Sequence, residues 1–230
     1  MISTITAGIA PGVALLSYFY LKDKYEAEPL SLVAKVFFLG ALLVFPIMFI
    51  HYVLTAENII SGPIFESFLS VGLLEEFFKW FIVYYAVYRH QEFNEPYDGI
   101  IYSTAVSLGF ASAENILYLL ANGVEFALSR ALLPVSSHAL FGVMMGYYIG
   151  KAKFTKDFRH WLLFLSLLLP TILHGGYTFI LLTITNWILP IILYMVILWS
   201  IGIRKTIQAH HLTDQFKKNS TLDENPLISK

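Results

Sequence analysis

Long uncharged stretches dominate this 230-residue chain, and short polar turns separate them. Several stretches are long enough to cross a hydrocarbon core about 30 Å thick as an α-helix. The turns contain helix-breaking residues, for example Ser61-Gly62-Pro63 and the segment from Pro96 to Gly99. The pattern predicts an all-α, polytopic bundle of about seven transmembrane helices, which cover residues 2–21, 34–54, 67–88, 99–121, 131–150, 161–183 and 187–203.

The composition supports a multi-pass membrane protein. Hydrophobic residues make up 57% of the chain and charged residues only 13%, whereas soluble domains carry about 25% charged residues. The net charge of −1 and the lack of a basic block exclude a nucleic-acid partner and leave the lipid bilayer as the expected surroundings. The absence of cysteine excludes disulfides, thiolate metal ligands and a cysteine nucleophile.

The positive charges predict the orientation in the membrane. Thirteen of the fifteen Lys and Arg residues fall in the loops after the first, third and fifth spans and in the C-terminal segment, whereas the opposite side holds only Arg130. Because positive loops stay in the cytoplasm, we expect the N-terminus outside and the C-terminus inside. Residues 1–203 are expected to form one transmembrane domain, and residues 204–230 a polar cytoplasmic tail without regular structure.

Ionisable residues within the spans are the candidate functional residues, since charge is costly at bilayer depth. At the helical rise of about 1.5 Å per residue, those in the third to sixth spans lie about 10 to 13 Å below the outer surface. Four helices thus deliver polar groups to one layer, and we expect these groups to meet. They are Glu75, Glu76 and Lys79 in the third span, Glu114 beside Asn115 in the fourth, His138 in the fifth and His174 in the sixth.

The adjacent glutamates Glu75 and Glu76 offer acid–base chemistry. Lys79 follows them at i+4 and i+3, so it can compensate one of the two carboxylates. The other carboxylate is then available as a base or acid near neutral pH. The chain has no HExxH motif, no serine elbow and no second intramembrane aspartate. A Glu/His site remains, which activates water either directly or through a divalent metal.

Other readings of the same residues stay open at this point. Glu75 and Glu76 with Lys79 can form a structural ion pair, and Glu114-Asn115 can hold helices together by hydrogen bonds. Buried Glu and His residues also build proton relays, so a proton-coupled transporter or channel is the main alternative function. A catalytically idle scaffold is the third.

Several motifs resemble those of the PrsW family of intramembrane proteases. These are the segments 73–80 (LLEEFFKW), 97–100 (YDGI), 109–115 (GFASAEN), 138–140 (HAL) and 174–177 (HGGY), and the similarity extends through the N-terminal stretch 7–21. The resemblance implies a glutamic-type endopeptidase of the cell membrane, distantly related to the CAAX prenyl proteases. It would make the first, extracytoplasmic cut in a membrane-anchored anti-sigma factor during envelope stress. No cofactor is expected, and a divalent metal at the Glu/His cluster stays open.

The resemblance also implies roles for individual residues. Glu75 corresponds to the base that activates water, Glu76 to its partner, and His174 to a donor for the developing oxyanion. His138 and Glu114 complete the catalytic set, although the wider group more often has a histidine at the position of Glu114. Lys79, Phe110 and Asn115 are expected to support the site or the substrate; Lys79 replaces an arginine of the broader motif. Thr178 replaces a second polar donor.

Overall fold

The computed structural model describes residues 1–59, 61–155 and 157–224, and the regular structure within these residues is entirely helical. Seven helices follow one another there: α1 (Ile2–Tyr20), α2 (Leu30–Ala56, interrupted at Leu43), α3 (residues 63–86), α4 (Asp98–Asn122), α5 (Val124–Phe154), α6 (Arg159–Thr183) and α7 (Ile188–Glu224). Two of them contain π-helical segments, Glu66–Leu73 in α3 and Ala131–Val135 in α5.

Six of these helices are long and apolar enough to cross a membrane, and α3 is the exception. Helix α3 contains four charged residues, Glu66, Glu75, Glu76 and Lys79, which lower its hydropathy. At 1.5 Å per residue it is nevertheless about 36 Å long, which is enough to cross the bilayer core. Large hydrophobic side chains such as Phe49 and Leu128 are exposed on the bundle surface, as lipid contact requires. The prediction of an all-α, multi-pass membrane bundle is therefore confirmed, while the sidedness of the termini stays a prediction.

Helix α4 is the centre of the bundle. Its residues from Asp98 to Ser112 are continuously buried, and it contacts α1, α2 and α5. Against α5 the two backbones touch: a Cβ on Gly99 would lie 2.3 Å from the carbonyl oxygen of Gly146, and a Cβ on Gly146 would lie 2.2 Å from that of Gly99. Small residues of this kind let membrane helices approach closely, which fixes α4 and α5 as a rigid base for the site.

The C-terminal segment differs from its prediction, because α7 continues without a break to Glu224. Its polar end has partners in the loops between the spans: the Tyr97 N–H donates to Thr213 Oγ1 at 3.2 Å, the Tyr25 hydroxyl donates to Asp214 at 2.7 Å, and Tyr97 stacks on His210. These contacts order residues that the polar composition alone suggested to be irregular. The expectation of an unstructured tail is thus wrong as far as Glu224, and a domain boundary after residue 203 stays a prediction.

Buried carboxyl groups gather at the loop face formed by residues 21–29 and 87–97. Glu28 is only 4% exposed and accepts a hydrogen bond from the Tyr102 hydroxyl. Burial raises the pKa of Glu28 to about 7, which outweighs the opposing effect of that hydrogen bond. Burial also raises the pKa values of Asp23 and Glu95 in the neighbouring loops. This face therefore binds protons more tightly in the folded protein than in the unfolded chain.

The raised pKa of Glu28 predicts a pH-dependent stability. The folded protein keeps the Glu28 proton above pH 4.5, where the unfolded carboxyl ionises, so stability is fully present below 4.5 and is lost as pH rises to about 7. We expect the melting temperature to fall by at least about 3 °C across this window, the effect of about 1 kcal/mol in a chain of this length. The Glu28→Gln variant should show a weaker dependence of melting temperature on pH. The control variant Glu26→Gln removes an exposed carboxyl from the same loop and should keep the dependence of the wild type. An unchanged slope in Glu28→Gln would contradict this.

Candidate active site

The structure brings together every ionisable residue that the depth argument selected. Helix α3 supplies Glu75, Glu76 and Lys79 from the regular turn that follows its π-helical segment. The other three helices each contribute one of the predicted ionisable side chains, namely Glu114 from α4, His138 from α5 and His174 from α6. All of these except Glu114, which is partly exposed, are buried, so the site lies inside the bundle.

The ammonium of Lys79 is the centre of the cluster. Its Nζ lies 2.9 Å from Glu76 Oε1, 3.3 Å from Glu75 Oε2 and 3.1 Å from His138 Nδ1. The whole side chain is 0% exposed, and Nζ also lies 4.2 Å from the centroid of the Phe110 ring, a cation–π contact. A buried charge needs this degree of pairing, so Lys79 and its partners form one electrostatic unit.

The two histidines are held in different ways. His138 Nδ1 faces an ammonium, which can only donate, so Nδ1 accepts and the ring proton lies on Nε2. That Nε2 is 3.4 Å from Glu114 Oε2. His174 instead donates from Nδ1 to Glu76 Oε1 at 2.9 Å, and Phe141 stacks on its ring at 4.8 Å. The network thus runs from Glu114 through His138, Lys79 and Glu76 to His174.

Arg130 is a member of the site that sequence reasoning missed. Its Nη2 lies 3.6 Å from Glu114 Oε1, its Nε donates to Asn115 Oδ1 at 3.2 Å, and its guanidinium lies 4.2 Å from the Tyr118 ring centroid. Asn115 in turn donates to the carbonyl of Gly8 in α1 at 3.1 Å, which confirms the role of interhelical hydrogen bonding at this position. The sequence did contain a signal for Arg130, because it is the single cation on the outer side of the predicted topology.

Glu75 and Glu76 differ in access and in bonding. Glu76 is 0% exposed and is bound by both Lys79 and His174, whereas Glu75 is 7% exposed and lies farther from each, at 3.3 Å from Lys79 Nζ and 3.9 Å from His174 Nδ1. Glu76 Oε2 is buried without a hydrogen-bond partner among the described residues. Glu75 is therefore the carboxylate with the greater freedom to contact a water molecule, and Glu76 is the one that orders its neighbours.

The cluster offers metal-ligand types but does not fit a bound metal ion. Glu75, Glu76, His138 and His174 place one ligand atom each within 4.8 Å of one another, and Glu and His are ordinary zinc ligands. However, Lys79 Nζ occupies the point on which three of these groups converge. A divalent ion bound by the same atoms would lie beside a buried ammonium, where repulsion is strong. The four residues can bind a metal only if Lys79 moves away.

Comparison with known proteins identifies the protein family. The model of the PrsW family, described as "PrsW family intramembrane metalloprotease", matches residues 28–201. The chain is 64% identical to Protease PrsW of Geobacillus kaustophilus (strain HTA426) over 91% of this chain and 93% of that protein. It is 58% identical to Protease PrsW of Bacillus subtilis (strain 168), over 91% and 96% of the two chains, and 38% identical to Protease PrsW of Clostridioides difficile (strain 630), over 83% and 85%.

No solved structure matches the chain significantly, so its geometry is interpreted from its own residues. The family match covers most of the transmembrane region, including every residue of the Glu/His cluster. Similarity to proteases over more than nine-tenths of the chain favours peptidase chemistry over the transporter hypothesis. The chain belongs to the PrsW family of intramembrane proteases.

Proposed function

We propose that this protein is a glutamate-dependent, metal-independent intramembrane endopeptidase. The observation that carries the proposal is the position of the Lys79 ammonium, 2.9 to 3.3 Å from Glu75, Glu76 and His138. The lysine supplies the positive charge that a metal would otherwise bring to two adjacent carboxylates. Glu75 then remains as the less buried and less tightly bonded carboxylate, which is the base that water activation requires.

In the proposed reaction, Glu75 takes a proton from a water molecule while the water oxygen forms a bond to the carbonyl carbon of the scissile peptide. The carbonyl electron pair moves onto its oxygen and gives a tetrahedral oxyanion. When the carbonyl re-forms, the C–N bond breaks and the leaving nitrogen takes the proton from Glu75. The base thus returns to its carboxylate form, and the products are a carboxylic acid and an amine.

His174 stabilises the oxyanion in this proposal. Its Nδ1 donates to Glu76, so its second nitrogen, Nε2, is the one that faces substrate. Donation from both nitrogens requires the imidazolium form of His174 during the reaction. An imidazolium carries N–H groups on both nitrogens, and its Nε2–H donates to the oxyanion as charge develops there.

Glu114 and His138 act as support for the charged centre. His138 accepts from Lys79, its Nε2 lies 3.4 Å from Glu114 Oε2, and Arg130 forms an ion pair with the other oxygen of Glu114. This chain of contacts holds the lysine ammonium between the two α3 carboxylates. Glu114 is also the most exposed member of the network, with 39% of its side chain accessible, and we propose that water and substrate approach Glu75 from its side.

We further propose that the substrate is a single-pass membrane protein, an anti-sigma factor, which is cut on the extracytoplasmic side. Support comes from the family resemblance and from the position of the site. Glu114 lies near the end of α4 that joins Gly123, opposite the loops and the C-terminal segment that together hold thirteen of the fifteen cations. Under the positive-inside rule this is the extracytoplasmic half of the bilayer.

The test is cleavage of an anti-sigma factor tagged at both ends, with purified enzyme in lipid vesicles and the cut position mapped by mass spectrometry. We expect one cut at the extracytoplasmic boundary of the substrate helix. A single-pass protein of unrelated sequence serves as the control substrate and should stay intact. A cut in the cytoplasmic half, or equal cutting of both substrates, would contradict the proposed substrate and orientation.

Removing His174 tests the oxyanion role. We expect His174→Ala to lower kcat by about 10²–10³-fold, the usual effect of losing one oxyanion donor, because the remaining network still holds Glu75 near Lys79. KM should change little. Single-turnover assays at matched amounts of folded protein measure this effect, with His160→Ala as a control, since His160 is an exposed residue at the start of the same helix. A folded His174→Ala variant with kcat within threefold of the wild type would exclude the role.

A further inference from the structure

The π-helical segment of α3 leads directly into the turn that carries Glu75 and Glu76. It covers Glu66–Leu73, and regular α-helix resumes at Leu74. In a regular α-helix the Leu74 N–H would donate to the Ser70 carbonyl, but here it is directed to the carbonyls of Leu69 and Val71. The change of register therefore deprives the Ser70 carbonyl of its usual helical partner.

His51 of α2 supplies a partner for that carbonyl. Its Nε2 lies 2.7 Å from the Ser70 oxygen, and since a carbonyl can only accept, the imidazole N–H is the donor. Ser70 is buried, where an unpaired backbone carbonyl is costly and is most costly within a membrane. The contact between His51 and Ser70 thus stabilises a buried carbonyl within the π-helical segment that has lost its usual α-helical partner.

The same segment is packed tightly against the helix that carries His174. A Cβ on Gly72 would lie 2.8 Å from the Thr171 carbonyl oxygen and 3.1 Å from the Gly175 nitrogen. There is no space for α3 to rotate locally against α6. A shift of one residue in register corresponds to a rotation of about 100°, which would turn Glu75 and Glu76 away from His174.

We propose that His51 is a positioning residue for the two glutamates. Its N–H holds the Ser70 carbonyl, preserves the π-helical register of α3, and so keeps the carboxylates of Glu75 and Glu76 directed at Lys79 and His174. This inference rests on the proposed function, in which Glu75 is the base. His51 itself contacts neither water nor substrate in this role and acts only through the backbone of α3.

A pair of amide variants tests the proposal. Glutamine places its side-chain N–H₂ close to the position of the histidine Nε2, whereas asparagine is too short to reach it. We expect His51→Gln to keep kcat within threefold of the wild type and His51→Asn to lose at least tenfold in kcat with KM within twofold. Cleavage of the tagged single-pass substrate in vesicles measures both constants, and Tyr52→Phe, at an exposed neighbouring position, is the control.

The outcomes separate this inference from the proposed function. Equal kcat in His51→Asn and the wild type, or equal losses in the Asn and Gln variants, would overturn the positioning role. If His51→Asn does not accumulate as folded protein, the Gln variant decides, because a tenfold loss of kcat in folded His51→Gln contradicts the proposal. Glu75→Gln is assayed in parallel: full cleavage by that variant would instead refute the proposed function.

Discussion

Replacing Glu75 by glutamine is expected to lower cleavage by about 10²–10⁴-fold, the range for loss of a general base. The amide has the shape of the carboxylate and still accepts a hydrogen bond from Lys79, which lies 3.3 Å away. It cannot take a proton from water, so the chemical step is lost while the bundle remains folded. Single-turnover cleavage of a tagged substrate in vesicles, with folded protein quantified by its melting transition, measures this loss.

Two further variants on the same helix serve as controls for the Glu75→Gln result. Glu66→Gln removes an exposed carboxyl from the same helix and should leave the rate unchanged. Glu76→Gln should lose about 10–10²-fold, because Glu76 orients His174 and Lys79 and misplacement of a catalytic group by about 1 Å costs about that much. A nearly inactive Glu76→Gln beside an active Glu75→Gln would reverse the two assignments.

Replacing Lys79 by methionine is expected to prevent folding. The change removes the ammonium that lies between two buried carboxylates, and breaking a buried ion pair from one side costs about 3–5 kcal/mol. The side chain of Lys79 is fully buried, as is that of Glu76, so solvent cannot compensate the charge that remains. The yield of folded protein after detergent extraction and its melting temperature measure the effect.

A double variant separates charge from packing at this position. Lys79→Met combined with Glu76→Gln removes one positive and one negative charge, so part of the lost stability should return, whereas cleavage should not, because the oriented network is gone. Lys35→Met, an exposed lysine on α2, is the control. If Lys79→Met were as stable as the wild type, the view of Lys79 as the central cation would be wrong.

The location of the candidate site was predictable because bilayer depth constrains it. In a soluble bundle, nothing in the sequence predicts that residues as distant as Glu76 and His174 lie at the same height along their helices. In a membrane, the rise of about 1.5 Å per residue converts position within a span into depth, and polar groups at equal depth satisfy one another. Glu76 and His174 are accordingly 2.9 Å apart, although 98 residues separate them. Their catalytic roles stay predictions.

Other features could not be predicted because they depend on backbone geometry or on loops. A shift from α- to π-helical hydrogen bonding has no periodic signal, so the contact between His51 and Ser70 could not be anticipated. Arg130 approaches Glu114 from the first turns of α5, which lie before the predicted span 131–150 and which the pattern of apolar residues does not define. The ordered end of α7 depends on contacts with distant loops, such as Tyr25 with Asp214.

The most direct test of the account measures metal content and cleavage rate in the same purified preparation. The enzyme is treated with a chelator and returned to lipid vesicles, bound metals are quantified by mass spectrometry, and single-turnover cleavage of the tagged substrate is recorded. Because the Lys79 ammonium occupies the centre of the Glu/His cluster, we predict an undiminished rate in metal-free protein. A rate that falls in proportion to the metal removed and returns with added zinc would contradict the account.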